Sequence, residues 1–130
     1  MSSWVHVAGI IRIDSIRLSN KIPNFDELIG KECLWEAPME VWDDCEAHPE
    51  KYLPMGSEGS LHKSVWVNPN ISHMAAYTVS IFGDLRDTYI EDAEKIIEWF
   101  KKKCNDLCVR NAVITVQCWD KYITWTYGDD

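Results

Sequence analysis

His62-Lys63-Ser64 is where this 130-residue sequence comes nearest to acid-base chemistry on a phosphate ester. A histidine two residues from a hydroxyl on a strand puts imidazole and O–H on one face. Two such tripeptides on neighbouring strands can protonate one ester oxygen while deprotonating another. His6-Val7-Ala8 and His73-Met74-Ala75 lack the hydroxyl, so half of that arrangement is missing. One histidine helped by Arg12 or Asp14 is still chemically sufficient if the groups converge in space. Five cysteines, Cys33, Cys45, Cys104, Cys108 and Cys118, form no CxxC pair and no zinc-type spacing. None sits in an electropositive turn that would favour a thiolate nucleophile, so reduced, mostly buried thiols are expected, with no metal and no cofactor.

These residues need elements to position them, and the clearest lies between Asp87 and Cys104. Thr88 and Glu91 have capping-box spacing. Ile90, Ala93, Ile96, Ile97, Phe100 and Cys104 then recur every three or four residues as one apolar stripe. Acids at the start and Lys101, Lys102 and Lys103 at the end suit the helix dipole, so a long helix is predicted. Residues 4–17 alternate as a strand, with Val5, Val7, Gly9, Ile11 and Ile13 on one side and His6, Ala8, Ile10, Arg12 and Asp14 on the other. Arg12 then either pairs with Asp14 or meets an anion. Gly9 marks a bulge or a close backbone approach.

Asn24 and Glu27 predict a short capped helix over Phe25 to Ile29, stopped by Gly30, and Met39, Trp42 and Cys45 share a face of a second over residues 39–47. The rest of 32–60 reads as an ordered loop pinned by aromatics, with a flexible hinge at Gly56 to Ser60. This segment is either a lid or a cover for a sheet edge. Strands follow at 61–67 and 74–85, then at 112–118 and 122–127 across a turn at Trp119-Asp120-Lys121. Such an order predicts one α+β domain resembling the ferredoxin-like βαββαβ sandwich, carrying an acidic insertion at 24–60 and an extra C-terminal strand. Its open sheet face would gather His6, Ile10, Arg12, His62, Ser64, Trp66, Thr78, Ser80, Phe82, Thr115 and Gln117.

Charge narrows the ligand classes. The net charge is −8, yet residues 24–58 hold ten acids against Lys31 and Lys51, and the remaining acids and bases balance at eleven each. Duplex nucleic acid and anionic membranes, which need a basic face, are argued against, whereas a local anion site on the neutral remainder is allowed. No apolar run reaches the roughly 20 residues of a membrane span and no leader-type start is evident, so a cytoplasmic protein is expected.

In size, acidity and want of a complete catalytic set, the chain resembles small phage-encoded counter-defence proteins that sequester nucleotide immune signals. That resemblance implies a non-catalytic homo-oligomer with pockets shared between subunits. Arg12, Lys63 or Arg86 would neutralise phosphate, Trp66 or Trp35 would stack a base, and His62 would line the site. Two other classes compete. An acidic inhibitor mimicking nucleic acid would present residues 24–58 to a basic partner. A small cyclic-nucleotide phosphodiesterase or other hydrolase would use His62 and His6.

Overall fold

Strict alternation makes β1, Trp4–Ile13, the middle of the molecule: Val5, Val7, Gly9, Ile11 and Ile13 are buried while the intervening side chains face outward. The computed structural model describes residues 2–14, 23–69 and 75–128. The expected continuation of the first strand to residue 17, and His73, lie outside these. On one side β1 pairs with β5, Tyr77–Arg86, and on the other with β6, Val109–Cys118. β4, His62–Val67, and β7, Lys121–Thr126, form the two edges. The order is β4-β5-β1-β6-β7, with every neighbouring pair antiparallel.

The expected helix, α3, runs Ile90–Asn105 and lays Ala93, Ile96, Ile97, Phe100 and Cys104 on the inner face of the sheet. Gly9 is explained by close approach: a Cβ there would stand 3.1 Å from Phe100 Cε1 and 3.3 Å from Ile114 Cγ1. The pairing shifts register between Arg12 and Ile13 instead. Burial of Cys104 in this core pushes its thiol up to about 12. All five cysteines are free, and only Cys108 is exposed.

The cap of α3 falls one residue later than its spacing predicts. Asp92 Oδ2 accepts the Tyr89 N–H at 3.0 Å. Thr88 is instead buried, its Oγ1 donating to Arg86 O and its carbonyl accepting from Ser3 Oγ. Strapping Thr88 to the N-terminal segment removes it from capping and passes the role to the next carboxylate on that face.

The 24–60 segment behaves differently in its two halves. α1, Phe25–Leu28, is capped by Asn24 as predicted, with Asn24 Oδ1 accepting from the N–H groups of Asp26 and Glu27. Phe25, Ile29 and Leu53 enter the main core. α2, Met39–Ala47, does not. Its Cys45 packs with Cys33 and Tyr52 in a separate small cluster joined by Val41, Trp42 and Met55, while Met39, expected on the same helix face, is exposed. After a single 3-10 turn, Pro49–Lys51, the predicted hinge is a tight hairpin of β2, Met55–Gly56, and β3, Gly59–Ser60. It is anchored, because Ser57 N–H donates to Arg86 O and Ser60 Oγ accepts the Cys33 N–H. The segment therefore lies along the edge of β4 and the helix side of the sheet. There Glu32 Oε1 accepts the Lys63 backbone N–H at 2.8 Å and blunts that edge.

Tyr52 O–H donates to Asp44 Oδ2 at 2.7 Å. This bond raises the Tyr52 phenol to about 12 and holds the Asp44 carboxyl below the usual carboxylate range. The depressed Asp44 contributes stability above its unfolded pKa, lost as pH falls through the folded value. The raised Tyr52 contributes below its unfolded pKa, lost as pH rises through about 12. Tyr52→Phe should return the Asp44 carboxyl toward its ordinary range in an NMR titration and flatten the acid limb of stability. An unmoved Asp44 resonance would refute the assignment.

Trp119 opens the two-residue turn between β6 and β7 at φ 58, although it is bulky and 63% exposed. A left-handed conformation costs a side-chain-bearing residue roughly 1–2 kcal/mol. Trp119→Gly should therefore stabilise folding by about 1 kcal/mol, read as a higher midpoint in urea. Among the described residues, no helix is long and apolar enough to cross a membrane.

Candidate functional site

Among the described residues no element packs on the face of the sheet away from α3, and alternation puts the expected residues there. Cross-strand register arranges them in rows. Trp66, Thr78 and Arg12 form one; Ser64, Ser80, Ile10 and Val113 the next; His62, Phe82, Ala8, Thr115 and Thr124 a third. Trp66 is 57% exposed and Phe82 43%. Rings this open on a pleated surface offer flat faces for stacking, and Ser64, Ser80, Thr78 and Thr115 supply hydroxyls between them.

Arg12 is the notable cation of this face. Its expected partner Asp14 is taken by Arg110, whose Nε stands 3.0 Å from Asp14 Oδ1. The reason is the bulge after Arg12, which changes the pairing of β6 just where Asp14 leaves the strand. Arg12 is half-buried, and its guanidinium makes no hydrogen bond or ion pair among the described residues. A guanidinium has five N–H donors in a planar fork, which fits a phosphate or carboxylate. Strand spacing sets Arg12 and Trp66 about 10 Å apart at the backbone, within span of one ligand.

The other expected ligand residues divide. His62 lies on the face, its ring stacked on Phe82 at 5.6 Å and 29°, with Nδ1 at 3.9 Å from Glu32 Oε2. Lys63 points the opposite way, as its odd place in the strand requires. Its ammonium is nearly enclosed and bonds Asp26 and the Gly30 carbonyl, so it tethers α1 to β4. Arg86 is at the rim, donating to Glu58 Oε1 at 2.9 Å and Ser2 Oγ at 3.0 Å. Trp35 is exposed on the loop before α2, with its backbone N beside Gly59. The structure thus sets Arg12 and Trp66 in one row, leaves His62 on the same face four residues away along the strands, and keeps Lys63 and Trp35 elsewhere.

A pair that the sequence reading missed is His6 with Asp84. His6 Nδ1 lies 2.6 Å from Asp84 Oδ1, and since a carboxylate only accepts, Nδ1 carries the proton. That leaves Nε2 as the available base when the ring is neutral. Equal parity of Asp84 with Phe82 along β5 was the signal that could have found it. His6 and His62 are separated by one intervening strand and two residues of register, about 12 Å between backbones, so they do not act on one atom. Among the described residues, no group of three His, Cys, Asp or Glu is arranged to hold a metal ion.

No protein-family model matches this chain, and neither the curated proteins nor the solved structures searched give a match.

Proposed function

We propose that this protein is a non-catalytic binding protein whose open sheet face sequesters a small nucleotide-type ligand. The observation that carries the reading is Arg12, half-buried and without a partner among the described residues, on the same uncovered face as the exposed rings of Trp66 and Phe82. A phosphate at Arg12 and a base against Trp66 use both chemistries of a nucleotide, charge and a flat π-face. The acids beside these residues are engaged elsewhere: Asp14 pairs with Arg110, Glu32 accepts the Lys63 backbone N–H, and Asp84 accepts from His6. Exposed rings of this kind also favour a second copy of the chain covering part of the face, with the ligand shared between subunits.

The ferredoxin-like arrangement belongs to this reading. Its support is the strand order: β4-β5-β1-β6 places the second and third long strands on one side of the first and the fourth on the other, with β7 appended.

Native mass spectrometry of the protein with a panel of cyclic and ADP-ribose-type nucleotides, followed by analysis of the released molecules, tests it. A stoichiometric complex that returns its nucleotide intact is expected. Absence of binding across the panel would end the proposal. A chemically altered product would replace it with a hydrolytic reading led by the Asp84–His6 pair. A salt-sensitive complex with a basic protein, lost when Asp43, Asp44 and Glu46 are neutralised, would move function to the acidic segment.

A further inference from the structure

β7 has one paired edge and one that no described strand meets. On its inner side it pairs with β6 from Lys121 to Thr126 without a shift in register, and the Tyr127 N–H donates to Ala112 O. Antiparallel alternation therefore turns the N–H and C=O groups of Tyr122, Thr124 and Thr126 outward, where no strand lies among the described residues. The opposite edge of the sheet is guarded, since the 24–60 segment lies along β4 and Glu32 takes the Lys63 N–H. β7 has no such guard. It carries no proline, no bulge and, after Lys121, no charge, so its backbone is an open template for another strand.

The helix beside this edge says which strand fits. α3 runs in the same direction as β7: Ile90 and Glu91 share a cleft with Trp119, Asp120 and Lys121, and further on the Lys101 ammonium stands 5.9 Å over the Trp125 ring. Between these points a groove is lined by Ile97 and Ile123. The stripe of α3 along it is acidic in its first half, at Glu91 and Glu94, and basic in its second, at Lys101 and Lys102. Glu94 and Lys102 have no ion-pair partner among the described residues. A stripe that changes sign at its middle matches itself when turned end for end.

We propose that a second copy of this chain adds to the sheet at this edge, β7 against β7 in antiparallel sense about a two-fold axis at Thr124. Tyr122, Thr124 and Thr126 of one copy then exchange N–H and C=O bonds with Thr126, Thr124 and Tyr122 of the other, and the contact closes on itself. The two α3 helices lie antiparallel on the same side of the joined sheet. Glu94 of each meets Lys102 of the other, over an apolar seam of Ile97 and Ile123 from both copies. The net charge favours this edge as well, because residues 24–58, with ten of the acids, lie at the far edge and stay apart in the pair. An unrelated strand would satisfy the backbone groups but would not supply the reversed charge order of α3. The contact leaves the open face of the sheet free, so it and nucleotide binding can fail separately.

Sedimentation velocity tests the contact. The wild-type chain should form a dimer with a Kd at or below about 100 μM. Thr124→Pro removes an N–H that points away from β6, so β7 keeps its place. The dimer uses that N–H once from each copy and should weaken by about tenfold or more. Glu94→Lys and Lys102→Glu should each weaken self-association, because like charges then face each other, and an equimolar mixture of the two variants should recover a heterodimer. A wild-type chain that stays monomeric would overturn the proposal, as would a dimer unaffected by these substitutions or a mixture that does not recombine. A dimer lost in Trp66→Ala but kept in Thr124→Pro would also overturn it, by placing the contact on the open face. The charge-reversal mixture decides the question even if Thr124→Pro does not fold.

Discussion

Phe100→Ala is expected to destabilise the protein by about 3–5 kcal/mol, the range found when a fully buried aromatic is truncated. Phe100 is completely buried and meets Trp125 edge-on at 5.9 Å between ring centroids, while its Cε1 lies over Gly9 of the central strand. The cavity left behind would open at the point where α3 joins β1 and β6, so neither helix nor sheet can close it alone. For a domain with a total stability of about 5–15 kcal/mol, this is a large fraction. Urea unfolding followed by tryptophan fluorescence measures it. Gly9→Ala supplies a cross-check. In the wild type the added methyl crowds Phe100 and should cost about 1–3 kcal/mol. With Phe100→Ala the same methyl enters the vacated space, and the cost should shrink or reverse. Additive effects of the two substitutions would show that the ring does not rest on Gly9.

The second large effect is expected on binding. Arg12→Ala should weaken a bound nucleotide by about 10- to 100-fold, the loss associated with a hydrogen bond to a charged group. Trp66→Ala should cost a similar factor through the stacked base. Both side chains lie on the uncovered face, outside the core, so thermal unfolding should change little. Lys63→Ala is the useful contrast. Its ammonium is spent on Asp26 and the Gly30 carbonyl, so this variant should loosen α1 and leave nucleotide affinity intact. Calorimetric titration of the three variants with whichever nucleotide binds gives the comparison. Unchanged affinity in an Arg12→Ala, Trp66→Ala double variant would remove the sheet face from consideration.

The face assignment was legible because one side of the sheet is dry. Wherever a strand has one buried face, a period of two specifies which side chains share a side, and residues 4–13 follow it without exception. The same parity separates Lys63 from His62 and Ser64. It was available in the sequence, although a ligand role for Lys63 ignored it. The 32–60 segment was hard to read for a different reason. Its order comes from bonds between distant residues, such as Ser60 Oγ with the Cys33 N–H and Tyr52 with Asp44, and such bonds leave no repeating pattern in the chain. A hinge was expected at Gly56 because glycine commonly marks flexibility. There it serves close packing, since a Cβ at that position would come within 2.7 Å of the Arg86 carbonyl oxygen.

By itself, then, the sequence determined the α+β class, the existence and nearly the limits of α1, α2 and α3, and the two faces of the strands, because each of these follows from local periodicity and capping chemistry. Only the tertiary structure decided which charges are left over. Asp14 goes to Arg110 and Asp84 to His6 through the pairing of β1 with β6 and β5, and Thr88 is drawn from the helix cap by Ser3, 85 positions away. Cross-strand neighbours are set by register over the whole sheet, so whether Arg12 is free to meet a ligand is a property of that register and of no shorter stretch of chain.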